Sequence, residues 1–276
     1  MKILVPTDFS PVADDALHAA CLFGQKQNAV IHLFHVASLP QEWIKLPLSN
    51  LLLDKLKNAI AESSQKQLEE RAKKVRDMGL SVKVHYVVGD YLQQIQAITK
   101  KNKFELVVVG SHGTGGKNEW ILGSNTQKVI RYLHTNALVI KNKLTDIAFK
   151  KVLFTSGLLE EDQVAFKRFL DFIEIFPVEE VHVLAVETKG FFSPPKIVML
   201  EALKDFKAIA GKYDCHTHFH SHLSVEAGVR QFVKDRGVEI VAISNHKRHP
   251  LKRIFSGSNV ELLVNHLNVP VLSIDY

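Results

Sequence analysis

The chain contains nearly the same series of segments twice, and this repetition restricts its fold more than any other feature. Glu105-Leu-Val-Val-Val-Gly110 is matched by Glu239-Ile-Val-Ala-Ile-Ser244. At the same interval, both are followed by Gly-Ser-Asn, at Gly123-Ser124-Asn125 and at Gly257-Ser258-Asn259. Upstream, Lys2-Ile-Leu-Val-Pro-Thr7 is echoed by Lys151-Val-Leu-Phe-Thr-Ser156, and Ile31-His-Leu-Phe-His-Val36 by Val181-His-Val-Leu-Ala-Val186. Self-similarity on this scale, with each copy large enough for its own core, predicts a tandem of two similar domains. The short polar stretch 141–148 suits a linker, which divides the chain into residues 1–145 and 146–276.

Within a copy, apolar runs rich in β-branched residues alternate with segments of helical periodicity. Such runs read as strands buried on both faces, and strands separated by helices pair in parallel. In the first copy the strands are 2–6, 29–36, 81–88, 104–109 and 137–140. Ser10-Pro11 fits an N-cap and first helical position, with Ala16, Leu17, Ala20, Cys21 and Phe23 as the apolar face that follows. A long helix over about 49–78 stops at Gly79, and Asp90 opens another that carries Leu92, Ile95 and Ile98. The expected architecture is α/β: two tandem doubly wound five-stranded parallel sheets, packed as a pseudo-dimer through their exposed final strands.

Composition limits the classes of function. At 46% hydrophobic and 23% charged residues the chain has the balance of a globular protein with a full core. No apolar run approaches the ~20 residues of a spanning helix, and Pro6 and Asp8 interrupt the N-terminus before a signal-type core forms, so membrane insertion is not expected. Two cysteines, Cys21 and Cys215, are too few for a disulfide framework and fit a cytoplasmic protein. The formal charge of +6 arises from 35 basic residues interspersed with 29 acidic ones. There is no basic and aromatic pattern of the RNA-binding kind, so nucleic acid is not an expected partner. The one dense basic cluster, 246–253, reads as a solvated loop.

Chemistry concentrates after the fourth strand. The run Phe104-Glu-Leu-Val-Val-Val109 stops at Gly110, and Gly113, Gly115 and Gly116 follow. Glycines let a backbone turn its N–H groups toward a ligand without obstruction by Cβ atoms. Gly123-Ser124-Asn125 then opens a helix with Val129, Ile130 and Leu133 on one side and Ser124 as the expected N-cap. A strand, a glycine loop and a free helix N-terminus gather donors and a positive dipole end as a phosphate requires. Neither Gly-Lys-Ser/Thr nor Gly-x-Gly-x-x-Gly after a first strand is present.

The spacing Gly110-x2-Gly113-x9-Gly123-Ser124 resembles the ATP-binding signature of the universal stress protein family, and the likeness extends over essentially the whole chain. The resemblance implies an adenine nucleotide alpha hydrolase-like fold and ATP as ligand, with Mg2+. It places Pro6, Thr7 and Asp8 after the first strand, with Asp8 on the adenine, and Val36 as an apolar wall of the adenine pocket. Gly110 lets the backbone approach the ribose, Gly113, Gly123, Ser124 and Asn125 supply donors to the phosphates, and Val109, His112 and Gly116 are further residues of the binding site. Read from the residues alone, Asp8 caps the first helix, and the two roles are compatible. The function so implied is nucleotide-dependent stress response or signalling. A weak ATP hydrolase using His112, Lys117 or Glu119 is the alternative from another class, and a partner-binding module independent of nucleotide is a third. A homodimer of the whole chain is compatible with all three.

The second copy departs where ligand chemistry is expected. Gly157 stands for Asp8, Ser244 for Gly110 and Lys247 for Gly113. Nucleotide binding is not expected there, although Gly257-Ser258 with Lys247 and Arg248 suits a bare anion. This copy alone carries Cys215-His-Thr-His-Phe-His-Ser-His222. On a strand, His216, His218, His220 and His222 form one row. The row suits a transition metal, or else is the polar face of an edge strand.

Overall fold

The computed structural model describes residues 1–38, 50–111, 123–188, 195–245 and 259–275, and in it the two copies fold alike. The first runs β1 (Lys2–Pro6), α1 (Pro11–Gln27), β2 (Val30–Ala37), α2 (Asn50–Asp77), β3 (Ser81–Val88), α3 (Tyr91–Lys101), β4 (Leu106–Gly110), α4 (Ser124–Tyr132) and β5 (Ala137–Ile140). The second runs β6 (Lys151–Ser156), α5 (Glu160–Ile173), β7 (Glu180–Thr188), α6 (Lys196–Ile209), β8 (Cys215–His222), α7 (Val225–Arg236), β9 (Ile240–Ser244), α8 (Asn259–His266) and β10 (Val271–Ile274). Ser10 caps α1 by accepting from the Ala13 amide at 3.3 Å, and Asp90 caps α3 by accepting from Gln93 at 3.0 Å. Ser124 is not a cap. The N-cap of α4 is Gly123, in extended conformation, so the helix begins one residue earlier than the serine signal suggests.

The two expected sheets are one. Ten strands lie in the order β3-β2-β1-β4-β5-β10-β9-β6-β7-β8. Neighbours are parallel within each half. At the seam β5 and β10 run antiparallel, with Val139 opposite Val271 and Leu138 opposite Leu272. Each half would otherwise leave its final strand as an open edge, and joining the edges satisfies both rows of backbone groups. Alternate residues of the strands feed two apolar layers, except that β8 contributes to only one of them. One holds Val5, Leu33 and Val108 with α1 and α2, and continues into Phe154, Val183 and Phe166 of the second half. The other holds Leu4, Val107 and Ile95 and continues into Leu153, Val241 and Phe232.

The segment 141–148 is not a solvated tether. Lys141 and Ile147 are buried, and Phe149 packs edge-on against Phe176 with ring centroids 5.1 Å apart. Phe23 of α1 meets the same Phe176 at 5.5 Å, so an aromatic cluster ties the halves together. Polar groups cross the seam on the other face. Arg131 grips Glu261 with both nitrogens, one at 2.7 Å. Lys141 donates to the Val264 carbonyl, and Asn245 donates to the Ile130 carbonyl at 3.1 Å. Both carbonyls belong to last helical turns, which lack intrahelical partners. Burial pushes the Lys141 ammonium down to about 8. Among the described residues no helix is long and apolar enough to cross a membrane.

Each half contains an imidazole pair at the same place. His32 Nδ1 lies 3.0 Å from His85 Nε2, and His182 Nδ1 lies 3.2 Å from His218 Nε2. The row His216, His218, His220 and His222 does occupy one face of β8, an edge strand, but it is used for packing. His218 lies 4.7 Å from the Phe232 ring, and His216 faces Asp214 at 3.2 Å. Among the described residues no three His, Cys, Asp or Glu side chains converge as a metal site.

Burial pushes His32 down to about 4, with the charges of His85, Lys83 and Lys2 adding to the effect. Burial likewise takes His218 to about 4, helped by His182 and Arg236. The unfolded chain binds these protons near pH 6.5, whereas the native chain resists them to about pH 4. Stability is therefore full above pH 6.5 and falls as pH drops toward 4, by ~3 kcal/mol through His32 and by less through the half-buried His218. The urea midpoint is expected to fall between pH 7 and pH 5, before carboxylates protonate. A flat midpoint over that range contradicts the reading.

Candidate functional site

The strand order reverses direction at β1. β2 and β3 lie to one side of it, and β4 and β5 lie to the other. Helix α1 leaves β1 toward one face and α4 follows β4 on the opposite face. Between helices that diverge in this way the crevice beyond the strand ends stays open, which is where open α/β sheets bind ligands. A cleft with about 350 Å³ of empty space, part of it open to solvent, lies there. Pro6, Thr7 and Asp8 line it from β1, Ser10, Val12 and Ala13 from the start of α1, and Val109 and Gly110 from β4. Asn125 and Thr126 of α4 and Tyr91 of α3 complete it.

The turn from β1 into α1 is held rigidly. Phe9 adopts φ +67°, unusual for a bulky residue. Its amide donates to Thr7 Oγ1 at 3.0 Å, and the Ser10 amide donates to Asp8 Oδ1 at 3.0 Å. The Phe9 ring stacks on His35 at 4.2 Å, and His35 Nδ1 lies 2.8 Å from the Thr7 carbonyl. Arg71 of α2 donates to the Phe9 carbonyl at 3.0 Å while pairing with both oxygens of Asp14. Asp8 thus uses one oxygen in the turn and remains exposed.

The two ends of the glycine signature differ physically. A Cβ at Gly110 would stand 2.1 Å from the Val12 carbonyl oxygen, so the glycine is demanded by the close passage of α1 over β4. Among the described residues a Cβ at Gly123 would meet only Thr126 Oγ1 at 3.9 Å, so their packing does not require that glycine. Among the described residues no side chain caps α4 at Gly123, which leaves its first-turn N–H groups at the cleft end of the helix. Thr126 Oγ1 anchors that turn by donating to the Gly110 carbonyl at 2.7 Å.

Of the residues expected at a nucleotide site, the cleft gathers Pro6, Thr7, Asp8, Val109, Gly110 and Asn125. Gly123 and Ser124 stand at the start of α4, beside it but not in its lining. Val36 packs into the apolar layer with Val87 and Tyr91 and is not a lining residue. His112, Gly113 and Gly116 lie outside the described residues, as do Lys117, Glu119 and, in the second half, Lys247, Arg248, Gly257 and Ser258. Sequence reasoning missed Ser10, Val12, Ala13, Tyr91 and Thr126 as lining residues. The small residue three positions after the Ser10 cap was the available signal for Ala13.

The equivalent crevice of the second half is filled. Leu158 repeats the positive φ of Phe9 at +61°, so the turn is the same. At the position of Ala13, however, α5 carries Asp162, whose carboxylate is fully buried. It accepts from Ser156 Oγ at 2.9 Å and from the Gly157 amide at 2.8 Å. Ser244, which replaces Gly110, also donates to it. The carboxylate of the first half stands exposed at the strand end, and that of the second half is drawn into the crevice. A buried negative charge there opposes any phosphate.

Both cysteines are buried and free, and burial pushes their thiols up, to about 12 for Cys21 and about 11 for Cys215. Neither is a nucleophile.

The sequence model of the universal stress protein family matches residues 1–141 and again residues 148–274. A universal stress protein of Methanocaldococcus jannaschii is 32% identical over 155 residues, covering 51% of this chain and 95% of that protein. One of Bacillus subtilis is 28% identical over 149 residues, covering 51% and 98%. Among solved structures, a universal stress protein from Archaeoglobus fulgidus superposes with a TM-score of 0.77 over 99% of this chain and 98% of its own. At 18% identity that likeness speaks for the fold alone.

Proposed function

We propose, from the premise that this chain belongs to the universal stress protein family, that its N-terminal half binds ATP in the cleft between β1 and β4 and that occupancy is the signal it carries in a stress response. One observation carries the reading: of two crevices built on the same turn, the first is open and the second is plugged by Asp162. In the open one Asp8 accepts from the adenine and the uncapped start of α4 faces the phosphates, an arrangement suited to anions. Magnesium enters with the nucleotide. Its charge would offset that of the phosphates, and Asn125, at the start of α4 where the phosphates are placed, would offer it an oxygen ligand.

The second half also supplies the test. Ala13→Asp copies the plug into the first half. By calorimetric titration the unaltered chain is expected to bind one ATP, and Ala13→Asp to bind at least ~100-fold more weakly, since like charges at close range cost several kcal/mol. Binding that survives the substitution unchanged rejects this cleft.

A further inference from the structure

Resting on the reading above, we propose that the Tyr91 hydroxyl reads the nucleobase edge beside Asp8 and makes the cleft selective for a 6-aminopurine over a 6-oxopurine. Tyr91 opens α3 directly after its Asp90 cap, and its ring is held in the apolar layer with Ile95 and Val36. The Lys128 ammonium lies 5.7 Å from the ring centroid. The hydroxyl is buried and has no hydrogen-bond partner among the described residues. Buried polar atoms of native proteins are nearly always paired, so an orphan on the wall of a cleft points to a ligand atom. Burial, with the Asp8 charge adding to it, holds the phenol above its ordinary range, so the group keeps its proton and acts as a donor. Asp8 and Tyr91 both line the cleft.

Together they form an acceptor beside a donor. Adenine presents the complement along its N1 edge: the exocyclic amine to Asp8 and the N1 lone pair to Tyr91. A 6-oxopurine reverses the pattern at both positions, setting a carbonyl against the carboxylate and an N–H against the phenol. A site built around such polar groups rejects the analogue that leaves them unpaired.

The test is titration of wild type and Tyr91→Phe with ATP and with inosine triphosphate, alongside thermal unfolding without nucleotide. Wild type is expected to prefer ATP by at least ~10-fold, and Tyr91→Phe to lose about 10-fold in ATP affinity with little change for inosine triphosphate. The same variant is expected to unfold at or above the wild-type temperature, because it discards an unpaired buried polar atom while keeping the ring. A merely structural tyrosine would show the reverse. Unchanged ATP affinity in Tyr91→Phe overturns the role of Tyr91 and leaves the ATP site standing. Failure of wild type to bind either nucleotide overturns both.

Discussion

Replacing Asp162 by alanine is expected to destabilise the protein by ~3–5 kcal/mol, a loss set by the donors its carboxylate leaves behind. Ser156 Oγ and the Gly157 amide point at it from the β6 turn, the Leu159 amide lies at 3.4 Å, and Ser244 reaches it from β9. The Ser156 and Ser244 hydroxyls are packed where water does not replace the missing acceptor, so each contributes its desolvation cost to the variant, and the part-buried turn amides contribute less. The carboxylate also joins the two strands that flank the reversal point of the second half. Urea unfolding compares the two proteins directly. A loss below ~1 kcal/mol would mean that the carboxylate is dispensable and that the crevice is not held shut by it.

Gly110→Ala is expected to cost ~3 kcal/mol, at the upper end of the range for overpacking. The atoms in the way are Val12 carbonyl oxygen at 2.1 Å, Val12 carbonyl carbon at 2.6 Å and Ala13 nitrogen at 3.2 Å. All are backbone, and no rotamer change relieves them. The first turn of α1 must lift from β4, which also widens the cleft and displaces Ser10 and Ala13. Gly123→Ala is the control: its Cβ enters open space, and the change at an N-cap is worth under ~1 kcal/mol. Equal unfolding midpoints for the two variants would refute the assignment of Gly110 to helix passage.

Much of the fold was legible because it depends on local pattern and on repetition. Strand runs such as Phe104-Glu-Leu-Val-Val-Val109, and cap signals such as Ser10-Pro11 and Asp90, act over a few residues, and the repeat doubled the evidence for each. The merging of the sheets followed from exposed final strands, but its antiparallel sense depends on how two finished halves meet. The linker misled because its polar letters conceal Ile147, a buried Lys141 whose amine reaches the other half, and the adjoining Phe149. At the site, Asp8 and Gly110 were visible as residues of special type at strand ends. Asp162 was not, since its meaning comes from Ser156, Gly157 and Ser244 converging on it through space. Tyr91 was hidden for the same reason: only the packing of α3 beside α4 brings it to the cleft. Gly110 was read as leaving room for a ligand beside the backbone, whereas what excludes a Cβ there is the protein's own Val12.

The account stands or falls on where nucleotide sits in the two halves. A crystal structure of the protein grown with ATP and magnesium is the most direct measurement. It is expected to show one nucleotide per chain, its base against Asp8 and Tyr91 and its phosphates at the start of α4, with Asp162 still filling the other crevice. Density for ATP at β6 and β9, or a first-half cleft closed by its own side chains at saturating ATP, would contradict it.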